Sequence, residues 1–259
     1  MITSPTNQRV KHITALIQKS KVRKEEKLFI VEGPRMFVEA PKSWMKEVYI
    51  SESFQKKGAF ANELAKIPHE VLSDDVFQRV SDTKTPQGIL CVLKQPSYTL
   101  EDLFTKENPL FVVLEDIQDP GNLGTIFRAG EGAGIQGVIM SHNTADVFNP
   151  KVIRSTMGSI YRMPFLYVDD LCSTIRELQD KKLMVYAAHL ENSVWYDAPD
   201  YTQGTAFLIG NEGNGLKRET ADAADSYIKI PMEGQVESLN AAIATSVLMY
   251  EAARQRRQS

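Results

Sequence analysis

Ile230-Pro-Met-Glu-Gly-Gln-Val-Glu-Ser-Leu-Asn-Ala-Ala242 sets a glycine-hinged polar loop against the start of a helix. The run before it, Ser226-Tyr-Ile-Lys-Ile-Pro231, reads as a strand ending at the proline. Ser238 reads as the helix N-cap, Leu239 and Asn240 open the helix, and Ile243, Val247 and Tyr250 follow at the spacing of one buried face. A loop so placed can wrap a small ligand. Taken alone, the stretch is equally an ordinary strand, loop and helix.

Two further stretches share this design. In Phe111-Val-Val-Leu-Glu-Asp-Ile-Gln-Asp-Pro-Gly-Asn-Leu-Gly-Thr-Ile-Phe-Arg-Ala-Gly130, a buried strand runs into a Pro-Gly turn and a helix capped at Asn122, with Arg128 six residues on. In Thr205-Ala-Phe-Leu-Ile-Gly-Asn-Glu-Gly-Asn-Gly-Leu216, a short apolar strand breaks into a glycine-studded loop carrying Asn211, Glu212 and Asn214. Its glycines permit positive φ and close backbone approach. Each is a common transition whose Asn and Gly make turns. Together and in this order, they resemble the three signature motifs of the SpoU family, also called the TrmH family, of ribose 2′-O-methyltransferases.

The resemblance covers nearly the whole chain. Asn149-Pro-Lys-Val-Ile-Arg-Ser-Thr-Met-Gly-Ser159 is similar to the family's segment between the first and second motifs. Phe29-Ile-Val-Glu-Gly-Pro-Arg35 and Ser81-Asp-Thr-Lys-Thr-Pro-Gln-Gly-Ile-Leu90 are similar to the L30e-like RNA-binding domain that many members carry.

The resemblance implies a fold, a cofactor and a site. The fold is α/β: a C-terminal, mainly parallel sheet with helices on both faces and a deep trefoil knot, preceded by a small L30e-like α/β sandwich. S-adenosylmethionine is held bent against the knotted loops by Gly210, Asn211, Glu212, Gly213, Ile230, Met232, Ser238 and Leu239, largely through backbone groups. The family's catalytic centre falls on Arg128, with Asn122, Glu212, Ser238 and Asn240 orienting the ribose and the arginine. A homodimer is also implied, in which Arg128 of one chain serves the pocket of the other.

These residue types suit the reaction. A ribose 2′-hydroxyl is a poor nucleophile, so it must be aligned with the sulfonium methyl and its developing charge stabilised. Guanidinium hardly ever gives up its proton in proteins, which favours Arg128 as a holder of phosphate or incipient alkoxide over a general base. Without the motif, Arg128 is a surface helix cation, Ser238 a helix cap and Glu212 a turn acid.

Composition is compatible with this reading and could not have named it. With 259 residues, 42% hydrophobic and 24% charged, the chain can bury one large core or two smaller ones. Only Cys91 and Cys172 are present, far apart and in no CxxC pair, so neither a disulfide framework nor a zinc site is implied. No apolar run is long enough to span a bilayer and the polar N-terminus lacks the apolar core of a signal peptide, so the cytoplasm is the expected compartment.

Net charge is −3, but its distribution is uneven: residues 1–35 carry +5 and the remainder −8. Arg9, Lys11, Lys21, Arg23, Lys24 and Arg35 are the candidate phosphate contacts at this basic end, against the alternative of a solvated helix face. Arg254, Arg256 and Arg257 close the last helix, where positive charge favours the helix dipole.

Short apolar runs at 28–31, 48–50 and 88–93 alternate with helical stretches at 34–40 and 60–66, giving a first domain over 1–95. Residues 96–109 are read as a linker, with Gln-Pro-Ser and Glu-Asn-Pro around a short segment at 100–104. From 110 to 259, strands recur near 111–116, 137–140, 163–167, 183–187, 205–210 and 226–230 with helical spacers, the pattern of a mainly parallel sheet. Other chemistries fare poorly. His12, His69, His142 and His189 are scattered and His69-Glu70 lacks a second histidine of HExxH, so no metal site is expected; no GxSxG elbow occurs. Gly130-Glu-Gly-Ala-Gly134 follows its helix instead of opening one, so Gly134 is read as a C-cap and a dinucleotide-dependent oxidoreductase is disfavoured. A non-catalytic RNA-binding protein is the other alternative. Ribosomal RNA is the favoured substrate, from the ribosomal lineage of the L30e-like part, with transfer RNA second.

Overall fold

Asn7 starts the first helix by accepting the backbone N–H of Arg9 on its side chain, so α1 runs Gln8–Gln18 with Val10, Ile13 and Leu16 on its buried face. This is a computed structural model, and it describes residues 1–259. After α2 (Ser20–Glu26), the strands β1 (Leu28–Glu32), β2 (Met45–Ser51), β3 (Glu70–Leu72) and β4 (Ile89–Lys94) form one sheet in the order β1-β4-β2-β3. β4 is antiparallel to β1 and β2, and β3 is parallel to β2. Helices α3 (Pro34–Glu39), α4 (Glu52–Lys57), α5 (Ala61–Leu64) and α6 (Asp74–Val80) connect the strands. The faces of α1 and α6 share a core with the sheet, in which Val10, Ile13 and Leu16 join Val76, Phe77, Leu28, Leu90 and Val92.

The chain divides into two units, Met1–Pro96 with Asp146–Tyr161, and Ser97–Ala145 with Arg162–Ser259. Residues 96–109 are therefore not a bare linker. Thr99 and Asp102 form a capping box on α7 (Leu100–Leu103), and Leu103 is fully buried in the second unit. β5 (Leu110–Leu114) leads to α8 (Pro120–Ala133), which is capped by the Asp119 side chain instead of Asn122 and closed by Gly134 at φ 77°. β6 (Gly137–Ser141) follows.

The chain then returns to the first unit, although local periodicity assigns all of 110–259 to one domain. Phe148 lies 4.8 Å from Phe29 between ring centroids, Arg23 Nη2 is 2.7 Å from Asp146 Oδ2, and the Tyr161 hydroxyl donates to the Met36 carbonyl at 2.8 Å. α9 (Pro150–Thr156) lies within this returning segment. Such partners are 123 and 125 positions apart, beyond any sequence window.

The second unit continues with β7 (Phe165–Val168), α10 (Leu171–Asp180), β8 (Met184–Ala188), β9 (Val194–Trp195), β10 (Thr205–Ile209), α11 (Arg218–Asp222), β11 (Ser226–Lys229) and α12 (Ala241–Gln258). Its seven strands lie in the order β7-β6-β5-β10-β8-β11-β9, and every neighbouring pair is parallel. Helices cover both faces, which is why β5 and β10 are buried at every position and apolar at all but Thr205. Leu103, Leu171, Ile175, Leu178 and Ala221 of α7, α10 and α11 pack with Phe111, Val113, Val185 and Leu208 on one face. On the other, α12 lies against α8, where a Cβ on Gly130 would come 2.7 Å from Ile135 and 3.5 Å from Met249. Strand order reverses between β5 and β10, the kind of point where open parallel sheets bind ligands at their carboxyl ends.

The last helix departs from its expected reading. Asn240, not Ser238, is its N-cap. Its buried face is Ala242, Thr245, Leu248, Met249 and Ala252, while Ile243 and Tyr250 are 53% and 47% exposed. Both stripes have helical spacing; the stripe of smaller residues is the one that lies inward. No helix is long and apolar enough to cross a membrane.

Candidate active site

The carboxyl ends of β8, β10 and β11 open into a pocket of about 720 Å³, within the roughly 300 to 1,000 Å³ usual for small-molecule sites. Ile209, Leu216, Ile228, Leu239 and Leu248 give it apolar walls, and Glu191, Glu212 and Glu237 bring carboxylates. Gly210, Asn211, Glu212, Gly213, Ile230, Met232, Ser238 and Leu239 all line it. Residues 231–239 form neither helix nor strand, and no backbone hydrogen bond joins them to the rest of the chain.

A chain of hydrogen bonds ties the three glycine- and asparagine-bearing stretches together. Asn122 donates from Nδ2 to Glu212 Oε1 at 3.0 Å, and its Oδ1 accepts from Asn240 Nδ2 at 2.9 Å. Glu212 also accepts the backbone N–H groups of Gln118 at 3.1 Å and Asp119 at 3.0 Å, at the entry to α8. Burial alone would raise the Glu212 pKa; the hydrogen bonds from Asn122, Gln118 and Asp119 outweigh it and hold the carboxyl below its ordinary value. Asn240 Oδ1 accepts the N–H groups of Ala242 at 2.9 Å and Ile243 at 3.3 Å, which makes it the cap of α12. The Asn122 oxygen is thus engaged in joining loops, and the Asn240 oxygen in capping its own helix. Ser238 caps nothing and is exposed on the pocket wall.

Arg128 and Asn122 do not line the pocket. Arg128 stands exposed on α8 and makes no ion pair within its own chain, so its guanidinium is available to an outside anion.

Two carboxylates inside the first signature stretch have parts that the resemblance does not assign. Glu115, at the end of the apolar run of β5, is 3% exposed and accepts the backbone N–H of Lys217 at 2.7 Å and the Thr220 hydroxyl at 2.6 Å. Asp116 sits at φ 55° and meets Lys217 Nζ at 3.0 Å and the Ser141 hydroxyl at 2.7 Å. Burial would raise its pKa, and the bonds from Ser141 and Lys217 bring it below the ordinary value. The one available clue was a charged pair directly after five buried apolar residues. Gly210 also has a reason internal to the chain: a Cβ there would lie 2.1 Å from both the Gly215 carbonyl carbon and the Leu216 nitrogen.

The basic residues of the first unit are not equivalent. Arg23 is 3% exposed, paired with Asp146 through Nε at 2.9 Å and Nη2 at 2.7 Å, and donates to the carbonyls of Leu16 and Ile17. It is a buried structural cation and cannot be the phosphate contact its neighbours suggested. Arg9 pairs with Glu70, Arg35 with Glu39 and Lys21 with Glu25 on the surface, while Lys11 and Lys24 are exposed and make no ion pair. At the other end of the chain, Arg256 donates to the carbonyls of Asn108, Pro109, Tyr201 and Gln203. It fastens α12, in keeping with the structural role expected of that cluster.

Known proteins match both the sequence and this geometry. Residues 109–250 match the model of the SpoU rRNA methylase family, and residues 7–91 match an MRM3-like substrate binding domain. The 23S rRNA (guanosine(2553)-2′-O)-methyltransferase RlmP of Bacillus subtilis (strain 168) is 34% identical over 251 residues, 96% of this chain and 97% of that protein. The SpoU methyltransferase AviRb of Streptomyces viridochromogenes, in complex with AdoMet, superimposes with a TM-score of 0.89 at 27% identity, over 98% of this chain and 99% of that one. The AdoMet-bound rRNA methyltransferase of Sinorhizobium meliloti does so with a TM-score of 0.84 at 34% identity, over 98% and 97%. Sequence and fold agree across nearly the full length, and the chain belongs to the SpoU rRNA methylase family.

Proposed function

We propose that this protein methylates a ribose 2′-hydroxyl of ribosomal RNA, using the pocket at the carboxyl ends of β8, β10 and β11 for S-adenosylmethionine. It is an S-adenosylmethionine-dependent RNA methyltransferase, and the ribosomal target rests on its similarity to the relatives above. The observation that carries the site assignment is the Glu212–Asn122–Asn240 chain, which joins all three signature stretches beside one pocket.

The residues present fit the cofactor. The apolar walls suit an adenine and a methionine stem, the carboxylates of Glu191, Glu212 and Glu237 suit cationic groups, and the backbone groups of residues 231–239 can reach a ligand. When bound, S-adenosylmethionine supplies an electrophilic methyl on its sulfonium. Gly210, Asn211, Gly213, Ile230, Met232, Ser238 and Leu239 would hold it, and Asn122, Glu212 and Asn240 would fix the loops around it. Arg128 would hold a substrate phosphate or the incipient alkoxide, since a guanidinium keeps its proton.

Arg128 lies outside the pocket of its own chain, which supports a homodimer in which one chain's Arg128 serves the other's cofactor site. The exposed Ile243 and Tyr250 of α12 provide an apolar surface for that pairing. The reading further includes a deep trefoil knot in the C-terminal domain, an N-terminal domain that binds RNA through Lys11, Lys21 and Lys24, and action in the cytoplasm. Transfer of labelled methyl to RNA, followed by mapping of 2′-O-methyl positions in cells with and without the gene, tests the function; no RNA methylation by the intact protein would defeat it.

A further inference from the structure

The exit of β5 grips both ends of the glycine loop. At the far end, Glu115 accepts the Lys217 N–H at 2.7 Å and the Thr220 hydroxyl at 2.6 Å, and Lys217 Nζ lies 3.6 Å from Glu115 Oε1 and 3.0 Å from Asp116 Oδ2. At the near end, the Asp116 carbonyl accepts Asn211 Nδ2 at 2.8 Å. Asp116 adopts φ 55° to do this, a left-handed backbone that non-glycine residues seldom take and aspartate tolerates better than most. Between the two grips run residues 212–216, part of one wall of the pocket, while Glu115 and Asp116 themselves do not line it.

We propose that Glu115 and Asp116 are positioning residues that set cofactor affinity by clamping this loop in its binding shape. The inference rests on the reading of the pocket as the S-adenosylmethionine site. A loop that adopts its binding shape only part of the time raises the apparent dissociation constant by the inverse of that fraction. Without the Glu115 carboxylate, the buried Thr220 hydroxyl and the half-buried Lys217 N–H lose their acceptor, so other loop shapes become competitive.

Calorimetric titration of the full-length protein with S-adenosylmethionine, well below the unfolding temperature of each variant, tests this. Glu115→Ala should raise the dissociation constant about tenfold or more, with RNA affinity unchanged. Glu115→Gln keeps an acceptor for the Lys217 N–H and can donate to the Thr220 oxygen, so its affinity should stay within about threefold of wild type. Wild-type affinity in Glu115→Ala, even with a lowered unfolding temperature, would show a purely structural role and overturn the proposal. Should that variant not fold, the near-isosteric Thr220→Val removes one of the two donors; a weakening of about threefold is expected, and none overturns the clamp. Failure of the wild type itself to bind would defeat the pocket assignment, and the clamp with it.

Discussion

Replacing Arg23 with Ala should unfold the first unit far more readily and leave its RNA contacts alone. The side chain is 3% exposed and makes four hydrogen bonds, two to Asp146 and one each to the Leu16 and Ile17 carbonyls. Asp146, whose side chain is only 15% exposed, would keep the Phe148 N–H as a partner but lose its counter-charge. Losing one member of a buried ion pair costs about 3 to 5 kcal/mol, which already includes the orphaned charge, and the two carbonyls put the expectation at the upper end of that range. At roughly 2 to 4 °C per kcal/mol, the transition should fall by about 10 to 20 °C. Arg23→Lys keeps a charge but cannot reach all three acceptors at once, so an intermediate loss is expected. Calorimetry or urea unfolding measures the change, and RNA binding is followed against salt in the same samples at low temperature. The salt slope of Arg23→Ala should equal wild type, whereas Lys21→Ala with Lys24→Ala should lower it by about 0.7 to 0.9 per lost phosphate contact. A stability loss below about 1 kcal/mol, or a reduced salt slope at unchanged stability, would refute the assignment of Arg23 to the interior.

Arg128→Ala should lower kcat about 10² to 10³-fold with S-adenosylmethionine affinity unchanged, read from steady-state kinetics beside calorimetry; a selective loss of cofactor binding would place Arg128 elsewhere. Glu212 has a depressed folded pKa, so its contribution to stability is complete above its unfolded value of 4.5 and is lost as pH falls through the folded value. Glu212→Gln should therefore flatten the acid limb of a stability-versus-pH curve below about 4.5, and an unchanged limb would count against the hydrogen-bond account. Gly210→Ala puts a Cβ 2.1 Å from backbone atoms of Gly215 and Leu216, so the loop cannot close and cofactor binding should vanish in calorimetry; retained binding would mean the loop can be remodelled.

Strand content in the second unit was legible because parallel strands covered on both faces must be apolar at almost every position, as Leu110–Leu114 and Thr205–Ile209 are. β3 and β9, of three and two residues, exist by pairing with β2 and β11 and carry no period of their own. Helix starts were misplaced by two or three residues at Asp119 and Asn240. Several residues near each start could serve as caps, and only the chain path decides which reaches the free N–H groups. The pocket lining was carried by motif resemblance, whereas the part played by Glu115 and Asp116 was marked only by a charged pair after an apolar strand, since their partners Lys217 and Thr220 lie about a hundred positions away.

Local chemistry alone thus determined the class of fold, the strand-to-loop transitions at 114–122, 209–216 and 229–240, and the residue types gathered there. Periodicity, turn propensity and glycine's freedom act over a few neighbours and are written in order along the chain. Tertiary structure alone decided which positive charges face solvent, which asparagine caps which helix, which stripe of α12 lies inward, and that 146–161 packs with the first unit. Those outcomes depend on burial and on partners distant in sequence. Arg23 and Lys24, adjacent and alike in the sequence, part company for that reason: one finds Asp146 and two backbone carbonyls in the interior, and the other points into water.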